Sequence, residues 1–238
     1  MATIPEAGIV AISAMFEQVA GRGEASRALL NAAAMAVDQI TPILEELLQV
    51  ATDGLKRNAY YKGETALFID AVLLHTLRYL ESRHDLSVAS AQTIEFLFNR
   101  DSSNPPLEKD LQQDFHGSLL VSLFRLGFST EARDLGGGRV DVLFAWKGLR
   151  ISAELKREER DRSDEQLVDD YGPQAISYQG TNVPICFLMV LDLFDRGGSQ
   201  AHLREQVTVH HRTPAGTRTP HTIVLVRIQG RRKSPSKL

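Results

Sequence analysis

The spacing of apolar residues changes period along the chain, and each change predicts an element. Up to about residue 98 the apolar positions recur at helical spacing and no strand alternation appears. Helices are expected over 7–20, 24–40, 43–51, 64–81 and 87–98. Thr41-Pro42 serves as cap and first turn for the third, and Phe68, Val72, Leu73, Leu77 and Leu80 form the stripe of the fourth. Residues 99–106 (NRDSSNPP) carry no apolar side chain and read as a linker. A further helix is expected over 106–126, with Leu107, Leu111, Phe115, Leu119 and Leu123 on one face and Gly127 at its end.

Beyond this the period falls to two. A short strand is expected over 128–133, followed by a glycine turn at 136–138. In the next strand Val140, Val142 and Phe144 share one face, and Asp141 and Leu143 the other. After a turn at Lys147-Gly148, Ile151, Ala153 and Leu155 alternate with Ser152, Glu154 and Lys156. The mixed-charge run 156–170 reads as a solvated loop and helix start. Pro173 then opens a helix carrying Gln174 and Tyr178, one turn apart on one face. The uninterrupted apolar run 185–191 is that of a strand covered on both faces, and 207–210 and 222–228 are late strands. A helix between two strands implies a crossover, hence an α/β sheet flanked by helices and preceded by an all-α region. The expected division is a helical regulatory or oligomerisation domain over 1–98, a linker over 99–106, an α/β domain over 107–230 and a basic tail over 231–238.

Charge changes this picture locally. The net charge of −3 leaves no chain-wide footprint for nucleic acid, and acids outnumber bases in the helical half. From His202 onward, eight Lys/Arg stand against one acid, Glu205, so sequence-independent phosphate contacts are expected there. The single cysteine, Cys186, lies in an apolar run and reads as a buried thiol, which excludes an intramolecular disulfide and suits a reducing cytoplasm. No apolar stretch approaches the roughly 20 residues of a membrane span. No basic segment precedes the first apolar residues, so neither a membrane nor a secretory route is expected. The triple glycine lacks the Gly-Lys-Ser/Thr of a phosphate-binding loop. Adjacent His210 and His211 would point to opposite faces of a strand, which makes them a poor metal pair.

Chemistry concentrates in 136–158. Strand alternation sets Glu154 beside Lys156, with Asp141 opposite on the paired strand. Two neighbouring carboxylates repel, and burying them is unfavourable unless a cation offsets them. A hard ion such as Mg2+ suits carboxylate and water oxygens, and the lysine is placed to hold a water or a phosphate oxygen. That is equipment for metal-assisted phosphodiester hydrolysis. A surface strand with an ordinary salt bridge is the plainer alternative. The apolar residues flanking both acids argue against it, since unpaired charge is disfavoured there.

Asp141, twelve intervening residues, then Glu154-Leu155-Lys156 resembles the PD-(D/E)XK nuclease superfamily. Gly138-Arg139-Val140-Asp141 is similar to its GR-x-D opening, and Gln174-Ala-Ile-Ser-Tyr178 to the Q-x-x-x-Y motif of its RecB-like branch. The resemblance covers about 106–191. It implies a restriction-endonuclease-like fold in which Asp141, Glu154 and the Leu155 carbonyl hold Mg2+ or Mn2+. It further implies that Lys156 positions the attacking water and that Gln174 and Tyr178 orient the lysine or touch nucleic acid. A helix before the first strand often adds an acid in this superfamily; Asp114 is the first choice and Glu108 the second, against an exposed acid for either. The implied activity is a DNA endonuclease (DNA ahead of RNA) serving as an effector in prokaryotic defence, restriction or repair. The alternative is an inactive nucleic-acid-binding or adaptor protein that keeps the fold. A homodimer, or a regulatory partner docked through the helical half, is the expected assembly.

Overall fold

A computed structural model describes residues 40–85, 92–123, 129–130, 134–135, 138–180, 182–197 and 199–233. The helix expected over 7–20, nearly all of that over 24–40 and the tail from 234 lie outside them. Thr41 caps helix α1 (Pro42–Leu55), its hydroxyl accepting from the Leu44 N–H at 3.3 Å. Helix α2 (Gly63–Asp85) and helix α3 (Glu108–Leu123) follow. Between them Gln92–Phe98 forms a 3-10 helix where the sequence predicts an α-helix.

The strands are β1 (Ser129–Thr130), β2 (Asp134–Leu135), β3 (Gly138–Arg139), β4 (Val142–Trp146), β5 (Leu149–Glu158), β6 (Ile185–Asp192), β7 (Val207–Arg212) and β8 (His221–Gln229). β2 and β3 pair with each other. The rest form one sheet in the order β1-β4-β5-β6-β8-β7, five full strands with the two-residue β1 at one edge. β5, β6 and β8 run parallel, while β4 and β7 lie antiparallel to their neighbours. The architecture is therefore mixed α/β.

Helix α4 (Asp164–Ser177) crosses between β5 and β6. It starts nine residues before Pro173, on a capping box in which Ser163 and Gln166 satisfy each other's backbone N–H groups. Pro173 lies inside this helix, not at its start. The buried stripe Leu167, Val168, Gly172, Ala175 and Ile176 outweighs the hydrogen bond that the proline forfeits. Likewise β5 continues to Glu158, so the charged run expected as a loop begins as strand.

The two faces of the sheet are covered differently. Ala153, Leu155, Phe187, Met189, Val224 and Val226 share one continuous core with α1, α2 and α3. Cys186, Leu188, Val190, Ile223 and Leu225 meet α4 on the other face. The described helices of the N-terminal half thus share one core with the sheet. Their apolar stripes are covered by the chain's own sheet. Residues 99–106 are held as well, since Arg100 pairs with Asp195 at 2.7 Å and donates to the Arg231 carbonyl.

Helix α1 meets the sheet through Gly54, where an added Cβ would stand 2.7 Å from the Val209 Cβ. Gly to Ala within a helix ordinarily stabilises by about 1 kcal/mol. Here backbone and a β-branched side chain would have to part. Gly54→Ala is expected to destabilise the fold by about 1–3 kcal/mol in urea denaturation.

On α2, the partly buried Asp70 accepts a hydrogen bond from the Tyr61 hydroxyl. Burial raises its carboxyl from 3.8 to about 6, against the lowering effects of the Tyr61 bond and Lys56. A folded pKa above the unfolded one means that the native state holds the extra proton. This contribution is therefore complete below about pH 4 and is lost as pH rises through 6. His75, on the same helix, is pushed down to about 4 by burial and runs the opposite way. Asp70→Asn keeps the acceptor for Tyr61. The stability difference, variant minus wild type, should rise between pH 4 and 6 in denaturant titrations and stay flat above.

Candidate active site at the carboxyl end of β5

Val142, the first residue of β4, pairs with Ala153 as the outermost rung between β4 and β5, so continuing the register sets Asp141, just before β4, across from Glu154. The β4–β5 turn takes positive φ at both Lys147 (47°) and Gly148 (83°), the twist a two-residue hairpin needs. Past Ala153, β5 has lost its antiparallel neighbour, and the Asp141 side chain supplies part of what the ladder would have given. The Leu155 N–H donates to Asp141 Oδ2 at 2.8 Å, and the Arg157 guanidinium donates to the Pro106 carbonyl at 3.2 Å.

Parallel register aligns Glu154 with Leu188, Lys156 with Val190 and Glu158 with Asp192, all on the α4 face. Glu154 is 1% exposed. Its Oε1 accepts from Lys156 Nζ at 2.5 Å, while its Oε2 is buried without a hydrogen-bond partner. Burial pushes the Glu154 carboxyl from 4.5 to about 7; the Lys156 bond opposes the rise, and Asp141 and Glu108 add to it. For Lys156, burial works against the charge, but Glu154, Glu108 and Asp141 together raise its pKa above the ordinary value. Burial and the Asp141 charge hold Glu108 above the usual carboxylate range, and Lys156 counters them. These four side chains form one electrostatic unit.

The helix acid in this unit is Glu108, not Asp114. The Asp114 carboxylate receives Arg83 Nε at 2.7 Å, Arg83 Nη2 at 2.8 Å and the Tyr79 hydroxyl at 2.8 Å. It bolts α3 to α2. Six residues apart on a helix, the two acids point to different sides, and the packing of α3 decides which one reaches β5.

Gln174 and Tyr178 are joined at 3.3 Å, with Gln174 exposed. α4 and the turn that follows it touch β5 on either side of them. Tyr171 donates to Glu158 Oε2 at 3.1 Å, and Gln179 meets the Ser152 hydroxyl at 2.6 Å. Gln174 therefore lies along the stretch of helix that passes Lys156 and Glu154. Gln179 and Ser152, both buried, are structural partners that sequence reasoning missed. Ser152 could have been suspected, because it shares its strand face with Glu154 and Lys156. Nothing in the sequence singled out Gln179.

The C-terminal cations expected to contact phosphates are largely paired within the fold. Arg204 pairs with Glu46 at 2.5 Å, Arg227 with Asp192 at 2.7 Å and Asp164 at 2.8 Å, and Arg212 with Glu165 and Asp169. Arg232 is buried, with its guanidinium donating to the Arg83 and His84 carbonyls at the end of α2. It is a helix C-terminal cap rather than part of a free basic tail. His210 and His211 face different partners, Glu165 and Thr222, as strand alternation requires.

Among the described residues, no three His, Cys, Asp or Glu side chains stand together as a metal cage, and no helix is long and apolar enough to cross a membrane. Comparison of the chain with protein-family models, curated proteins and solved structures found no match.

Proposed function

We propose that the chain is a metal-dependent nuclease of the PD-(D/E)XK type, with the restriction-endonuclease-like fold and with its site at the carboxyl end of β5. The observation that supports this reading best is the buried, unpartnered Glu154 Oε2, set opposite Asp141 and beside Lys156. A carboxylate oxygen without a donor in so buried a position is disfavoured. It is also the group a hard divalent ion takes. Asp141 and Glu154 would hold Mg2+ or Mn2+, with the Leu155 carbonyl and water completing the oxygen set and Glu108 as the adjacent helix acid. When bound, the ion supplies charge to the scissile phosphate and acidity to a water.

The side chains of this protein do the rest. Lys156 balances Glu154 in the resting site and presents its ammonium to the phosphate as negative charge builds. The Leu155 N–H holds Asp141 at 2.8 Å and so sets the direction of its carboxylate. Gln174 and Tyr178 lie on the α4 flank, where a nucleic-acid strand would pass. The resemblance favours DNA over RNA and an effector role in defence, restriction or repair. The Glu154–Lys156 ion pair and the internal pairing of the C-terminal arginines favour a second reading, an inactive binding module. Incubation of supercoiled plasmid, then single-stranded and structured RNA, with and without Mg2+ or Mn2+ separates them. Metal-dependent nicking lost in Lys156→Ala supports the nuclease; intact substrates under every condition, together with retained binding, support the module.

A further inference from the structure

We propose that Gln112 is a positioning residue for Asp141. The proposal rests on the reading of Asp141 as a site acid. Asp141 lies one residue before β4, at a bend outside the ladder. Its carbonyl is held by the Gln112 side chain, whose Nε2 donates to it at 3.1 Å, and its carboxylate by the Leu155 N–H. The residue is thus gripped at both ends, by α3 and by β5. Gln112 stands one helical turn after Glu108, so the same face of α3 carries the acid that senses Asp141 and Lys156 and the amide that holds the Asp141 backbone. A side-chain amide here substitutes for a strand neighbour. Without it the Asp141 peptide can rotate, and the carboxylate leaves the place where it meets both the Leu155 N–H and Glu154.

The test reads the full chain without relying on cleavage. Gln112→Met keeps the length and packing of the side chain and removes the donor. Amide hydrogen exchange is followed at Leu155, with Ala153 on the same strand as control and Asp141→Ala as the reference for an amide without this acceptor. The expected result is Leu155 exchange at least about 10-fold faster in Gln112→Met, near that of Asp141→Ala, with Ala153 unchanged. Mn2+ alone, titrated calorimetrically, should bind about 10–100-fold more weakly. Equal Leu155 exchange in wild type and variant overturns the proposal, and so does equal loosening of Ala153, which would mark a merely structural contact. A wild type that binds no Mn2+ but whose Leu155 amide responds to Gln112→Met would sink the metal reading and leave the positioning role standing. Should Gln112→Met not fold, Gln112→Asn, too short to reach the carbonyl, is read by the same exchange measurement.

Discussion

Lys156→Ala should lower the metal-dependent cleavage rate by about 10²–10³-fold at saturating Mn2+, the loss typical of removing one preorganised electrostatic group. The side chain has two tasks in the structure. Its ammonium sits 2.5 Å from Glu154 Oε1, and it is 15% exposed, enough to face a substrate. Its removal would, on the proposed mechanism, take a cation away from the developing phosphorane, and it leaves a 1%-exposed carboxylate without its Lys156 counter-charge. That carboxylate, already raised to about 7, would rise further. Metal binding by Lys156→Ala should accordingly weaken more steeply as pH falls, because the proton competes for the same oxygens. Lys156→Arg should not rescue the rate, since a planar guanidinium cannot replace a compact ammonium in this slot. Single-turnover plasmid nicking, measured beside a thermal melt, checks the prediction. Cleavage at the wild-type rate by a folded Lys156→Ala protein would remove the site from the mechanism altogether.

The second large effect separates two acids on one helix. Asp114→Ala is expected to destabilise the fold by about 3 kcal/mol, because it strands the Arg83 guanidinium and the buried Tyr79 hydroxyl without their acceptor. For a chain of this size that corresponds to a Tm lower by roughly 6–12 °C. Cleavage per folded molecule, assayed well below the melt, should survive. Glu108→Gln should behave in the opposite way. Its carboxylate is half-buried beside Lys156 and Asp141, so its loss should reduce cleavage about 10-fold or more and leave the melt nearly unchanged. The reverse pattern, a stable but inactive Asp114→Ala with a silent Glu108→Gln, would restore Asp114 as the site acid.

Much of the site was legible because strands repeat every two residues. Alternation alone set Glu154 beside Lys156, and the short turn at Lys147-Gly148 set Asp141 across from Glu154; the outermost rung, Val142 to Ala153, is one step short of that pair and in the same register. The run Ile185–Leu191 was legible too, since an uninterrupted apolar run of that length suits a strand covered on both faces; the strand reaches one residue further, to Asp192, and all eight positions are buried. Helical period was less informative. It placed α3 and α2 and marked their apolar stripes, but it could not say what those stripes would meet. The described stripes met the sheet, in one continuous core. At α4 a local rule pointed the wrong way. Pro173 reads as a helix start, yet burial of the residues on either side carried the helix through it.

The sequence by itself determined the periods, the hairpin and the register that sets Asp141 across from Glu154, because these depend on residues fewer than about fifteen apart. Only the tertiary structure decided which charges are available. Arg227 reaches back to Asp164, Arg204 to Glu46 and Arg83 across to Asp114, over separations of 63, 158 and 31 residues. No local pattern encodes such pairs. A charged side chain looks the same in sequence whether it is satisfied or free. What tells the two apart is the packing of whole elements: α3 sets Glu108 beside Lys156 and Asp141 and gives Asp114 to Arg83 and Tyr79.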